Sequence, residues 1–158
     1  MPPIVALAFV LFFIWKRDFA GAFLVAAGFD AFLRTNEMLN LQLGDVIIDE
    51  RNTGVIKLRR TNSGPRNAAY EAGIILDPLV GRLSGLFFLH LPAEYHAKLP
   101  VYLNPRLFHS QFAAAAEHFH LSHFKFRGFS IRRGWRHFFL PKNRLNAAHN
   151  RKRQMGNR

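Results

Sequence analysis

The chain has 158 residues, enough for one domain with a real core and too few for two of ordinary size. With 49% apolar residues, 17 of them Phe, the composition excludes a disordered chain and predicts a phenylalanine-packed interior, while the lack of cysteine excludes disulfides, thiolate metal ligands and thiol redox chemistry. A net charge of +12 is unevenly spread: residues 1–50 hold 3 basic and 6 acidic side chains, 51–100 hold 7 and 3, and 101–158 hold 12 and 1. Most of these cations are arginines, whose fork stays protonated and matches phosphate oxygens. Nucleic acid is therefore the first expected partner, ahead of an anionic membrane surface or an acidic protein.

Pro3 to Trp15 is an apolar run of 13 residues, interrupted by Lys16-Arg17-Asp18, and a second apolar and small run extends from Phe19 to Phe29. Neither reaches the ~20 residues that span a bilayer, and no cation precedes the first as a signal peptide requires. Both read as buried helices, the second with Asp18 as its N-cap. Arg34 then follows the apolar helix. Asp30 and Glu37 lie four residues before it and three after, so either can pair with it on a continuous helix for ~0.2–0.5 kcal/mol; otherwise the guanidinium faces solvent or a polar pocket.

Leu39, Leu41 and Leu43 alternate into Asp45-Val46-Ile47-Ile48 and predict a strand. A Gly-containing turn over Asp49 to Gly54 leads to a second strand, Val55 to Arg60, with Ile56 and Leu58 inward and Lys57 and Arg59 outward. Thr61 to Asn67 reads as another turn and Tyr70 to Leu76 as a third strand, closing a small antiparallel sheet. Leu79 to His90 predicts a helix weakened by Gly81 and Gly85, and Leu91 to Pro105 an irregular connector. In the alanine-rich helix Arg106 to Phe119, Leu107/Phe108, Phe112 and Phe119 recur at helical spacing and are expected to face inward.

From Phe124 the chain is basic and aromatic together. Phe124 to Phe126 reads as a short edge strand, leading to a helix capped by Ser130, carrying Arg132, Arg133 and Arg136, and ended by Pro141. Residues 143–158 form a basic tail expected to fray without a partner. Phe124, Phe126 and Phe129 either pack in the core or stack on bases, a contact worth ~1–3 kcal/mol each. His118, His120 and His123 share no helix face and have no nearby Asp, so no metal site is expected. The fold class that results is α+β and mostly helical: helices around a three-stranded antiparallel sheet in a domain over 1–140, with 141–158 as the tail.

The series Arg34-x-x-Glu37-Met38-Leu39-x-Leu41-x-x-x-Asp45-Val46, then a hairpin, then Ser130-Ile131-Arg132-Arg133-Gly134, resembles the catalytic domain of the tyrosine recombinase (phage integrase-like) family. The resemblance covers residues 3–138 and is closest to the divergent members carried by eukaryotic mobile elements. Such enzymes cut DNA by attack of a tyrosine on a phosphodiester, with two arginines on the non-bridging oxygens to stabilise the added charge. By resemblance Arg34 is the first arginine, Glu37 its supporting acid and Arg132 the second arginine. Asn62 stands where the family has a lysine, and an amide cannot act as a general acid; Lys57, Arg59 and Arg60 are nearby but off the pattern. Phe129 stands where many members have histidine.

The resemblance also implies a nucleophilic tyrosine well beyond the second arginine, whereas Tyr70, Tyr95 and Tyr102 all precede Arg132. The expectation is thus a truncated or decayed recombinase that binds DNA and does not cleave it alone. Its expected DNA contacts are Lys57, Arg59, Arg60, Arg66, Lys125, Arg127, Arg133 and Arg136, with His137 a further phosphate ligand or a half-buried neighbour of Phe138. DNA and further recombinase protomers are the expected partners, with no cofactor, in a DNA-associated or nuclear setting. Two other readings compete: a basic RNA-binding or structural module, and a peripheral membrane protein anchored by the N-terminal apolar runs.

Overall fold

The computed structural model describes residues 1–58, 72–88, 100–102 and 104–131. Helix α1 (Pro3–Trp15) opens with proline at its first position, where no amide hydrogen is needed, and α2 (Phe19–Asp30) opens at Asp18, whose Oδ1 accepts from the Gly21 amide at 2.8 Å. An all-apolar helix is expected to be enclosed on every side, which α1 is not, since Ile4, Leu7, Leu11 and Trp15 are exposed along it. In α2 residues 21–28 are buried without interruption, with α1 packed against one side and α4 (Pro78–Phe88) against another.

Phenylalanines fill the joints between these helices. Phe9 meets Phe112 of α5 (Pro105–His118) edge-on at 4.8 Å, Phe13 stacks on Phe108 at 5.7 Å, and Phe23 lies parallel to Phe87 at 6.5 Å. Phe9, Phe13, Phe23 and Phe108 are fully buried, each contributing ~1.5–3 kcal/mol of transfer free energy. Gly21 is required beside them, since a Cβ there would overlap the Phe13 ring.

The sheet has the order β1-β2-β3, all antiparallel, with β1 (Val46–Ile48), β2 (Gly54–Lys57) and β3 (Ala72–Ile75) in the register Val46↔Ile56, Ile47↔Val55↔Ile74 and Ile56↔Gly73. Ile56 and Ile75 are fully buried and Lys57 is exposed, as the alternation predicts; Leu58 is partly buried. The β1–β2 turn is held by Asp49, which accepts from the Arg51 and Thr53 amides and from the Thr53 hydroxyl. The Thr53 hydroxyl bond, followed by the backbone bond from the same residue, holds the Asp49 carboxyl below its ordinary pKa. Gly81, a weakness by propensity alone, has a packing role: α4 comes so close to the Asn52 carbonyl that any Cβ would overlap it.

Several expectations need correction. Leu39 to Leu43 is not strand: Leu39 ends helix α3 (Thr35–Leu39), and Leu43–Asp45 is a 3-10 turn in which Asp45 exchanges hydrogen bonds with the Gln42 backbone. This local capping outcompetes extension: Gln42 makes only an isolated antiparallel bridge to Pro100, and the sheet starts at Val46. Phe124 to Phe126 is not an edge strand either. Ser122–Phe124 forms a 3-10 turn closed by the Lys125 amide on the Ser122 carbonyl, with Lys125 left-handed at φ 52°. Ser130 is the third residue of the helical stretch 128–131 rather than its cap, and its Oγ accepts from the Arg127 amide at 3.1 Å. In α5, capped by Asn104 Oδ1, Phe108 and Phe112 face inward while Leu107 is exposed and Phe119 only partly buried.

Three helix ends share one construction. After α1, α2 and α5 the chain turns through left-handed Arg17, Phe32 and His120, and the next amide reaches back to the carbonyl five residues earlier, Asp18 to Phe13, Leu33 to Gly28 and Leu121 to Ala116. These are Schellman closures with a bulky residue in the position glycine usually holds. Among the described residues no helix is long and apolar enough to cross a membrane.

Candidate nucleic-acid interface

Arg34 stands at the corner between α2 and α3. Its extended backbone places it as the N-terminal cap residue of α3, where its amide donates to Glu37 Oε2 at 2.7 Å and its Nη1 to Glu37 Oε1 at 3.2 Å. Both carboxylate oxygens of Glu37 thus hold the same residue, one through the backbone and one through the side chain. The Arg34 side chain remains 45% exposed while that of Glu37 is 10% exposed, so the arginine has donors left for an incoming anion. Asp30, the other partner that spacing allows, is engaged elsewhere: its Oδ2 accepts from the Leu76 and Asp77 amides at 2.7 and 3.0 Å. That carboxylate fastens the end of α2 to the end of β3.

The same corner receives the stretch that leads to the second arginine motif. A Cβ at Gly128 would stand 2.7 Å from Thr35 Cγ2, so this glycine lets the chain lie directly on the residue after Arg34. Ile131 is fully buried, within 3.4 Å of where a Cβ on Gly28 would be, and the Ser130 carbonyl accepts from the Met1 nitrogen at 2.9 Å. Residues 128–131 are therefore seated between the start of α1 and the α2–α3 corner. Arg132 follows directly in sequence but lies outside the described residues, as do Arg59, Arg60, Asn62, Arg66, Arg133, Arg136 and His137.

Next to or within this segment Lys125, Arg127 and Phe129 are exposed; Lys57, on β2, is exposed as well. Phe124 is also exposed and stacks on the partly buried Phe126 at 5.5 Å, which in turn meets Phe9 at 6.4 Å. One ring is thus anchored in the core and one presented to solvent. The three clustered histidines fall in separate settings: His118 stacks on Trp15 at 5.5 Å, His120 takes the left-handed position after α5, and His123 lies against Phe124 at 4.0 Å. Among the described residues no three His, Asp or Glu side chains are grouped to hold a metal ion.

Tyr102 is built for structure. It is buried, its hydroxyl donates to Asp18 Oδ2 at 2.5 Å, and burial, reinforced by that carboxylate, pushes its pKa far above the ordinary phenol value. Such a phenol resists becoming the phenolate that a nucleophile must be. Tyr70 and Tyr95 lie outside the described residues. Sequence reasoning missed the Thr35–Gly128 contact and the Asp18–Tyr102 bond, because nothing local marks residues 93 and 84 positions apart as neighbours. Compared with known proteins, the chain matches no family model and no curated sequence.

Proposed function

We propose that this chain is a recombinase-type DNA-binding domain that holds a backbone phosphate between Arg34 and Arg132 and does not cut the strand by itself. The observation that carries this reading is the contact of Thr35 with Gly128, supported by the burial of Ile131, which brings segments flanking the two arginines to one corner across 93 positions of sequence. Glu37 fixes Arg34 before any ligand arrives, so less side-chain entropy is lost when its remaining donors meet phosphate oxygens. Exposed Lys125 and Arg127 extend the positive surface beside it.

Salt-titrated binding to duplex DNA tests the proposal. The log-log slope should fall by up to about 0.9, the amount expected for one phosphate contact, in Arg132→Ala or Arg34→Ala, with little further fall when both are changed. Binding that is undetectable at low ionic strength, or slopes unchanged in both variants, would refute it. Single-stranded RNA outcompeting the duplex would instead favour a basic RNA-binding module.

One feature supports a second reading, a peripheral contact with an anionic bilayer. Ile4, Leu7, Leu11 and Trp15 are exposed along one side of α1, and exposed Lys16 and Arg17 end that helix, with Lys16 Nζ 4.6 Å from the Trp15 ring centre. An apolar face ending in tryptophan and cations suits a headgroup boundary. Flotation with anionic vesicles that is lost when Leu7 and Leu11 are both changed to Gln would favour it.

A further inference from the structure

We propose that the cleft at the α1–α2 corner is a binding site for a small amphipathic acid, an aromatic carboxylate that also carries a hydroxyl or amino donor. The cleft encloses about 390 Å³. That volume suits a one- or two-ring molecule and lies in the range of roughly 300–1,000 Å³ typical of ligand pockets. Leu43, Phe87, Val101 and Leu107 supply apolar walls; of the polar lining residues, Asp18 and Tyr102 are bonded to each other and Asn104 Oδ1 caps α5, which leaves Arg17 and Gln111. A few convergent polar groups on an apolar lining are what orient a small ligand.

The chemistry of those two polar groups selects the ligand. Arg17 is exposed and makes no ion pair among the described residues, although Asp18 is adjacent to it in sequence. Asp18 is already occupied, with Oδ1 on the Gly21 amide at the start of α2 and Oδ2 on the Tyr102 hydroxyl. Its hydrogen-bonding capacity is taken up there, and the guanidinium keeps its donors for an anion from solution. Gln111 Oε1 is buried with no hydrogen-bond partner among the described residues, an arrangement that costs ~1–3 kcal/mol until a donor arrives. An acid group on Arg17, rings between the apolar walls and an O–H or N–H that the Gln111 amide turns outward to meet would satisfy all three features. The site is independent of the DNA reading, which uses the opposite end of α2.

The probe is 6-hydroxy-2-naphthoate, followed by its own fluorescence in a titration of the full chain. Saturable binding at one site is expected, weakened at least tenfold in Arg17→Gln, with 2-naphthol, which lacks the carboxylate, binding comparably weakly to both proteins. Gln111→Met should weaken the hydroxynaphthoate several-fold and leave 2-naphthoate nearly unchanged. Leu107→Trp, at an exposed wall position, should block the cleft without disturbing the core, as checked by circular dichroism. Arg127→Gln should leave binding intact. No saturable binding up to millimolar probe, equal binding in Arg17→Gln, or an equal loss in Arg127→Gln, which marks non-specific attraction to a cationic protein, would each overturn the proposal.

Discussion

The two ends of α2 are turned by the same kind of helix closure, yet they leave their arginines in opposite conditions. At the first corner Arg17 itself takes the left-handed position, and the acid that follows it is bound to Gly21 and Tyr102. At the second corner Phe32 takes that position, and Arg34, two residues later, is held through backbone and side chain by Glu37. What separates them is where the nearest carboxylate finds its hydrogen bonds. A carboxylate that caps a helix and a phenol serves the fold and frees the cation; one that reaches back to the arginine aims the cation and keeps it in place. The first arrangement suits an adaptable anion site and the second a fixed phosphate contact.

If that contrast is right, removing the two acids has unequal consequences. Asp18→Ala removes an N-cap and the partner of a buried phenol, so urea unfolding should show a loss of ~2–3 kcal/mol, against no more than ~1 kcal/mol for Glu37→Ala. Equal losses would break the comparison. Gly128→Val probes the second corner from the other side: the added carbons must displace Thr35, and a loss of ~1–3 kcal/mol in stability is expected, accompanied by weaker duplex binding. An unchanged protein would mean that residues 128–131 do not rest on this corner.

The smallest effect sharpens the first corner. The pKa of Tyr102 is raised in the folded protein above its ordinary value of 10.0, so the native state binds its proton more tightly than the unfolded chain. That contribution is complete below about pH 10 and is lost as pH climbs above it toward the folded value. Thermal melting of Tyr102→Phe should therefore fall less steeply than that of the parent above pH 10. Parallel curves would show that the phenol's environment contributes nothing.

Local features were the readable part of this chain. The Asp18 cap, both apolar helices and the hairpin at Asp49 to Gly54 each follow from residues within a few positions, and all form. Alternation misled at Leu39 to Leu43 because Gln42 and Asp45 capped each other and wound the backbone instead. The closures at Arg17, Phe32 and His120 gave no advance sign, since glycine is the residue that usually announces them. At the candidate site the Arg34–Glu37 pair was one of two that spacing allowed, and the choice was made just past β3, where the Leu76 and Asp77 amides claim Asp30. Contact between Thr35 and Gly128 is a product of the whole fold and could not be read from either segment alone.

A double-mutant cycle on duplex DNA binding tests most directly whether Arg34 and Arg132 share one phosphate. Binding free energies would be measured at one low salt concentration for the parent, Arg34→Ala, Arg132→Ala and the double variant. Two cations on one phosphate should be coupled, with the double loss departing from the sum of the single losses by ~0.5–3 kcal/mol. Additivity within ~0.3–0.5 kcal/mol would place the arginines on separate contacts and contradict the shared grip.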